Sequence, residues 1–147
     1  MPTDTTVGHE IVGHDFRSAM HGKMPENDID NVVASLANTA ATTAYPANGS
    51  VASLIFYMKL QVSVKGGKTF NGHAGSLGTP GGGALFGDVY TNDINRLYRD
   101  TVSFEFQGTP VYLSILFFDG NSRLLGHFQS GAVSTVIGAG GGSGSWS

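Results

Sequence analysis

Two stretches of this chain, Tyr57–Gly75 and Val111–Gly131, read as unequal copies of one hairpin. In the second, VYLSILFFDGNSRLLGHFQSG, apolar runs flank Asp119-Gly120-Asn121-Ser122, and Asp-Gly between such runs is a strong hairpin signature. At an offset of fifty-four positions Lys65-Gly66-Gly67-Lys68 falls on that turn, Phe70 on Leu124, and Gly72-His73 on Gly126-His127. A glycine triplet follows each copy, at Gly81–Gly83 and Gly140–Gly142. The repeat predicts a fold of two related halves.

It also contains a conflict. Met58, Leu60, Val62 and Val64 share one face of the first copy, but the same offset lands them on Tyr112, Ser114, Leu116 and Phe118. The better buried set in the second copy is Val111, Leu113, Ile115 and Phe117. A slip of one residue exchanges the faces of a strand. A β-bulge, or turns of unequal length, is therefore predicted near Lys65–Thr69 or Asp119–Arg123.

The rest of the chain fits short strands between turns. Val51–Val64 alternates over most of its length, with Lys59, Gln61 and Ser63 opposite the apolar set, the pattern of an antiparallel sheet with one wet face. Thr69–Ala74 is the return strand, GTPGGG (78–83) a loop, and Ala84–Tyr90 a further strand. Thr91 or Asn92 caps a short helix carrying Ile94, Leu97 and Tyr98, with Arg96 and Arg99 toward its negative end. Thr101–Gln107 alternates again, and Ala132–Ile137 and a glycine-rich close complete about eight strands. Such spacing reads as a sandwich or barrel, and closure would remove aggregation-prone edges. The 22 glycines in 147 residues, about twice average usage, fit close strand approach.

Residues 1–43 read differently. Met1–Lys23 is polar without a hydrophobic period, and is expected to be a mobile arm. Asn27 caps a short helix over 28–37 whose face is Ile29, Val32, Val33 and Leu36. The segment holds six acids against two bases, and Tyr45-Pro46-Ala47-Asn48-Gly49 reads as the turn that bounds it. The expected division is an acidic arm at 1–43 and a β-barrel domain at 44–147.

Chemistry is sparse. The chain has no cysteine, which excludes thiolate catalysis and disulfides, and its net charge of −3 excludes the basic field that nucleic acid requires. No apolar run reaches the roughly 18 residues of a spanning helix, and the N-terminus carries no leader pattern. His9-Glu10-Ile11-Val12-Gly13-His14 misses the HExxH zinc motif by one position, in a segment not expected to be helical. Gly66-Gly67-Lys68-Thr69 lacks the earlier glycine and the following helix of a phosphate loop, and reads as a hairpin turn. Asp88, Asp93, Asp100, Glu105 and Asp119 are scattered without a pairing. His73 and His127, equivalent in the repeat, read as symmetry-related structural positions. No catalytic, metal or cofactor-binding residue is assigned, and the binding residues are unknown.

At LGTPGGGALFGDVYT, TNDINRLYRDTVSFEF and FFDGNSRLLGHFQSGAVSTVIGAGGGSGSW the chain resembles the virulence-associated (Vap) proteins of an actinobacterial pathogen of horses. The resemblance covers Tyr45–Trp146 and is not expected over the first forty or so residues. It implies a closed eight-stranded antiparallel β-barrel of two Greek-key-like halves with one short helix between them, all-β in class. It also implies a secreted, non-enzymatic protein that supports survival in host macrophages by interaction with phagosomal or endolysosomal components. The partner would be an unknown host protein or membrane lipid, the chain a monomer, and the leader removed. The alternative is a small-ligand or lipid-binding barrel of lipocalin or avidin type. Phe104, Phe106, Leu113, Ile115 and Phe117 argue against it, because they look sufficient to fill the lumen.

Overall fold

The computed structural model describes residues 9–39, 43–54, 56–75, 79–131 and 136–147. Two helices, α1 (His9–Met20) and α2 (Glu26–Thr39), precede strands β1 (Thr43–Ser53), β2 (Met58–Val64), β3 (Thr69–Ala74) and β4 (Gly81–Thr91). Helix α3 (Ile94–Asp100) then leads to β5 (Ser103–Gly108), β6 (Tyr112–Phe118), β7 (Leu124–Gly131) and β8 (Gly138–Trp146). The strands close in the order β1-β2-β3-β8-β5-β6-β7-β4, every pairing antiparallel. Each half is a Greek key, β4-β1-β2-β3 and β8-β5-β6-β7, and the halves meet at the β3–β8 and β4–β7 seams. The expected barrel of two such halves, with a short helix between them, is what forms.

Alternation fills the lumen. Met58, Leu60, Val62, Phe70, Leu85, Val89, Phe104, Phe106, Leu113, Ile115, Phe117 and Phe128 point inward and are essentially inaccessible to water. Aromatic rings stack toward the α3 end: Phe70 lies 4.9 Å from Phe117, and Trp146 lies 5.2 Å from both Phe117 and Tyr98. Such edge and tilted contacts add to the area they bury. The rings need bare backbone beside them, and a Cβ on Gly72 would stand 2.6 Å from the Phe70 ring. Here the glycine-rich tail finds its purpose. Rather than a loose close it is β8, a full strand between β3 and β5. The glycines of 81–83, read as loop, likewise belong to β4.

Several other expectations are corrected. Val51–Val64 is two strands, β1 ending at Ser53 and β2 starting at Met58. The turn read at Tyr45–Gly49 is the middle of β1, where Pro46 pairs with Asp88 just beyond the end of the β2 ladder and its missing N–H leaves no partner unmet. Helix α3 is capped by Asp93, whose carboxylate accepts from the Arg96 N–H at 3.1 Å, rather than by Thr91 or Asn92. Val111 is 70% exposed and lies outside β6, while Leu113, Ile115 and Phe117 face the lumen as predicted.

The largest difference lies before the barrel. His9–Met20 is a helix, although the segment was read as lacking a period: Val12, Phe16 and Met20 recur every four residues and all are buried. Helix α2 is longer than the predicted 28–37 and buries Ile29, Val32 and Leu36. Both helices pack on the outer face of β6, against Tyr112, Leu116 and Phe118. Strand β6 is consequently buried on both faces. Arg17 ties the two helices together through Asp30 at 2.7 Å.

The register conflict resolves in two steps, one at the turns and one at Leu125. Val64 and Asp119 open the two turns identically, the N–H of each donating at 3.0 Å to the carbonyl of Lys68 or Arg123, so the structural offset is fifty-five. Phe117 then pairs with Gly126 but Phe118 with Leu124, which leaves Leu125 as a bulge. Past it the offset is fifty-six.

Candidate functional site

The turn offset and the bulge together separate the two histidines. With the offset now fifty-six, the counterpart of His73 is Gln129, not His127. His73 is exposed and stacks on Tyr57, with ring centres 6.2 Å apart. His127 is fully buried on the outer side of β7, stacked on Tyr90 at 5.2 Å. The Gly-His pairs are thus a coincidence of spelling, and the symmetry-related role read for them is withdrawn.

Around His127 lies a buried polar layer. The Gln129 amide donates to the Ser114 hydroxyl and to His127 Nδ1, both at 2.9 Å. Beside it the Tyr112 hydroxyl meets Asp15 of α1 and Gln107 of β5. Serine and histidine are near each other here, yet the amide sits between them as donor to both, so the imidazole is not placed to take the serine proton. The layer joins helices to sheet. Burial and the Asp15 carboxylate raise the Tyr112 hydroxyl far above the usual phenol range.

The remaining sequence candidates take structural places. His14 is exposed on α1 beside Asp15. Gly66–Lys68 is a turn packed on α3, where the Lys68 N–H donates to the Tyr98 hydroxyl at 3.3 Å. Asp119 accepts from the N–H groups of Asn121 and Arg123 and so closes the β6–β7 turn. Asp100 is held below the usual carboxylate range by its bond to Arg99. Among the described residues no cluster of three or more His, Cys, Asp or Glu could hold a metal.

One acid is different. Glu105 points outward from β5, between Leu116 on β6 and Gly141 on β8. Its Oε1 occupies the space that a Cβ on Gly141 would need, so only glycine in that strand lets the carboxyl lie flat on the sheet. Met24, from the α1–α2 connection, and Phe118 wall a cleft of about 280 Å³ over it, with Ser103 and Ser122 at its polar side. Burial pushes the carboxyl up to about 7, against an opposing pull from Lys23. The cleft therefore offers a carboxyl that changes charge near neutrality, able to hold a proton or to meet a cationic or hydroxyl group. In sequence Glu105 looked like any strand acid. The legible signal would have been its pairing with a side-chain-free strand, which the sequence does not disclose.

The barrel faces water by its alternation. Lys59, Gln61, Asn71 and His73 point out while the apolar set points in, the reverse of a barrel that spans a bilayer. Among the described residues no helix is long and apolar enough to cross a membrane.

Comparison with known proteins agrees with this architecture. A family model described as "Rhodococcus equi virulence-associated protein" matches residues 3–147. The match reaches well into the N-terminal segment, where no likeness was expected. The solved structure of virulence-associated protein VapB from the intracellular pathogen Rhodococcus equi is 48% identical, with a TM-score of 0.67 over 71% of this chain and 96% of that one. That of VapD from the same organism is 38% identical, with a TM-score of 0.68 over 71% and 97%. No curated protein matches.

Proposed function

The chain belongs to the Rhodococcus equi virulence-associated protein family, and from that premise we propose that it is a secreted, non-enzymatic factor. It supports bacterial survival inside host macrophages by binding phagosomal or endolysosomal components through its outer surface. The observation that carries this reading is the packed lumen. Phe70, Phe104, Phe106 and Phe117 occupy the space where a lipocalin-like carrier would hold its ligand. Recognition then falls to the outside, where the Glu105 cleft and the strand connections lie. Both solved relatives are virulence-associated proteins of an intracellular pathogen, which agrees with it.

The test is a deletion strain in cultured macrophages, complemented with the intact chain, alongside purified protein added to host endolysosomal membranes and lysate. Reduced survival restored by complementation, together with specific retention of the protein on host material, is expected. Normal survival and no retention would sink the proposal.

A further inference from the structure

The two carboxyl oxygens of Glu105 are placed differently. Oε2 is shut off from bulk water, and among the described residues no group donates to it. Oε1 lies over the bare backbone of Gly141, and is the oxygen that the cleft can reach. A carboxylate held in this way is costly while it lacks a counter-charge. The cleft above it, of about 280 Å³, has apolar walls in Met24 and Phe118, and its other side-chain polar groups are the hydroxyls of Ser103 and Ser122.

Among the described residues no Lys or Arg lines the cleft. Lys23, beside Met24 in the α1–α2 connection, is exposed and acts on the carboxyl from a distance. Strand β8 offers glycine there, and β6 offers Leu116 and Phe118. In the β6–β7 turn Asp119 is tied to the N–H groups of Asn121 and Arg123, and lies 3.8 Å from Arg96. The elements around Glu105 thus bring it acceptors and apolar surface but no cation in contact.

We infer that the Glu105 cleft binds a primary alkylammonium group, the end of a lysine side chain or of a small free amine. Glu105, Ser103 and Ser122 supply three acceptors, the number of N–H donors that a primary ammonium carries. Met24 and Phe118 flank its alkyl stem. The volume lies just below the usual range of ligand pockets, about 300–1,000 Å³, and suits one such stem. Other ligands match less well. A guanidinium fork takes both oxygens of a carboxylate, and here only one is open. A quaternary ammonium has no N–H and is held by an aromatic cage, whereas one wall here is methionine. An anion meets a carboxylate and no base. Burial keeps the carboxyl protonated up to about 7, so an ammonium competes with a proton and binds more tightly as pH rises. This deepens the surface-binding reading and rests on its premise that the outer surface is the active one.

The test follows the amide resonances of Ser103, Glu105 and Gly141 in the full chain as n-butylammonium is added at about pH 6 and about pH 8. Saturable shifts are expected, with affinity rising about tenfold between the two, since the carboxyl ionises across that span while the amine, at about 10.4, keeps its proton. Methylguanidinium and tetramethylammonium are expected to bind at least about fivefold more weakly. Glu105→Gln is expected to lower affinity at least about tenfold and to abolish its pH dependence. Ser103→Ala, and Ser122→Gly, which suits the positive φ of 60° at that residue, are expected to lower it severalfold, and serve should the glutamine variant fail to fold. Nα-acetyl-lysine methylamide and putrescine distinguish the sources: tighter binding of the first assigns the site to a protein lysine, of the second to a free amine, and either upholds it. No shifts at about 50 mM probe, equal binding of all three cations, or binding untouched by the Glu105 and serine changes overturns the inference. If retention on host material persists in that case, the proposed function stands without it. Ammonium binding with normal survival of the deletion strain does the opposite.

Discussion

Tyr112, on the outer face of β6, donates its hydroxyl hydrogen bond to Asp15 of α1, ninety-seven residues earlier in the chain. The same oxygen lies 3.2 Å from Gln107 on β5, so one side chain links the N-terminal helix to two strands of the second Greek key. Removing the hydroxyl alone tests how firmly the helices are held. Tyr112→Phe keeps the ring but leaves Asp15 and Gln107 without it, and should cost about 1–2 kcal/mol in urea denaturation. Loss of Phe16, on the buried face of α1, should cost more, about 3–5 kcal/mol on change to Ala.

Glu105 makes stability depend on pH in an unusual direction for an acid. Its carboxyl is raised from 4.5 to about 7 by burial, so the folded state disfavours the charged form. The stability it contributes is therefore complete below the unfolded value and is lost as pH rises from about 4.5 to about 7. Glu105→Gln should remove roughly 2 kcal/mol of that dependence, the full shift being discounted because the group is partly exposed. Equilibrium denaturation across that range checks it; parent and variant curves of equal slope would refute the assignment.

The close fit at Gly72 gives a third expectation. A Cβ there would meet Phe70 at 2.6 Å and Phe104 at 2.8 Å, both in the lumen. Gly72→Ala should destabilise by about 1–3 kcal/mol, since neither ring has room to retreat. Thermal melts would show it, with Gly120→Ala as a comparison where nothing stands within 4 Å.

Val111 and Leu113 test where the inward-facing set of β6 begins. Val111→Ser should change stability by less than about 0.5 kcal/mol, whereas Leu113→Ala should cost about 2–5 kcal/mol. Similar effects at both sites would place Val111 in the core after all.

The lumen was readable because Met58, Leu60, Val62 and Val64 obey a strict period of two, and so do Phe104 and Phe106. What hid the rest was context. Leu116 and Phe118 are apolar on what a barrel normally leaves wet, and the partner that explains them is a helix whose period of four had no three-residue companions. Gly-rich 138–144 carries no strand propensity of its own, and is a strand through its pairing with β3 and β5, where a Cβ on Gly142 would meet the His73 carbonyl and one on Gly144 the Phe70 ring. The histidine equivalence failed through two shifts of register, one already present at the turns and one at Leu125. Glu105 could not be singled out without its cross-strand partner, and Leu54–Tyr57 was absorbed into a longer strand because its residues favour strands as strongly as those beside it.

Strand β8 follows the other seven strands in sequence, and it lies between β3 and β5. Neither Greek key can be joined to the other along that seam until β8 exists. A chain still leaving the ribosome thus has its β3 edge open, however well β1–β4 have paired. Cylinder closure waits on β8, made from contacts far apart in sequence and slow for that reason. Up to that moment the polypeptide is still a thread with a partial sheet.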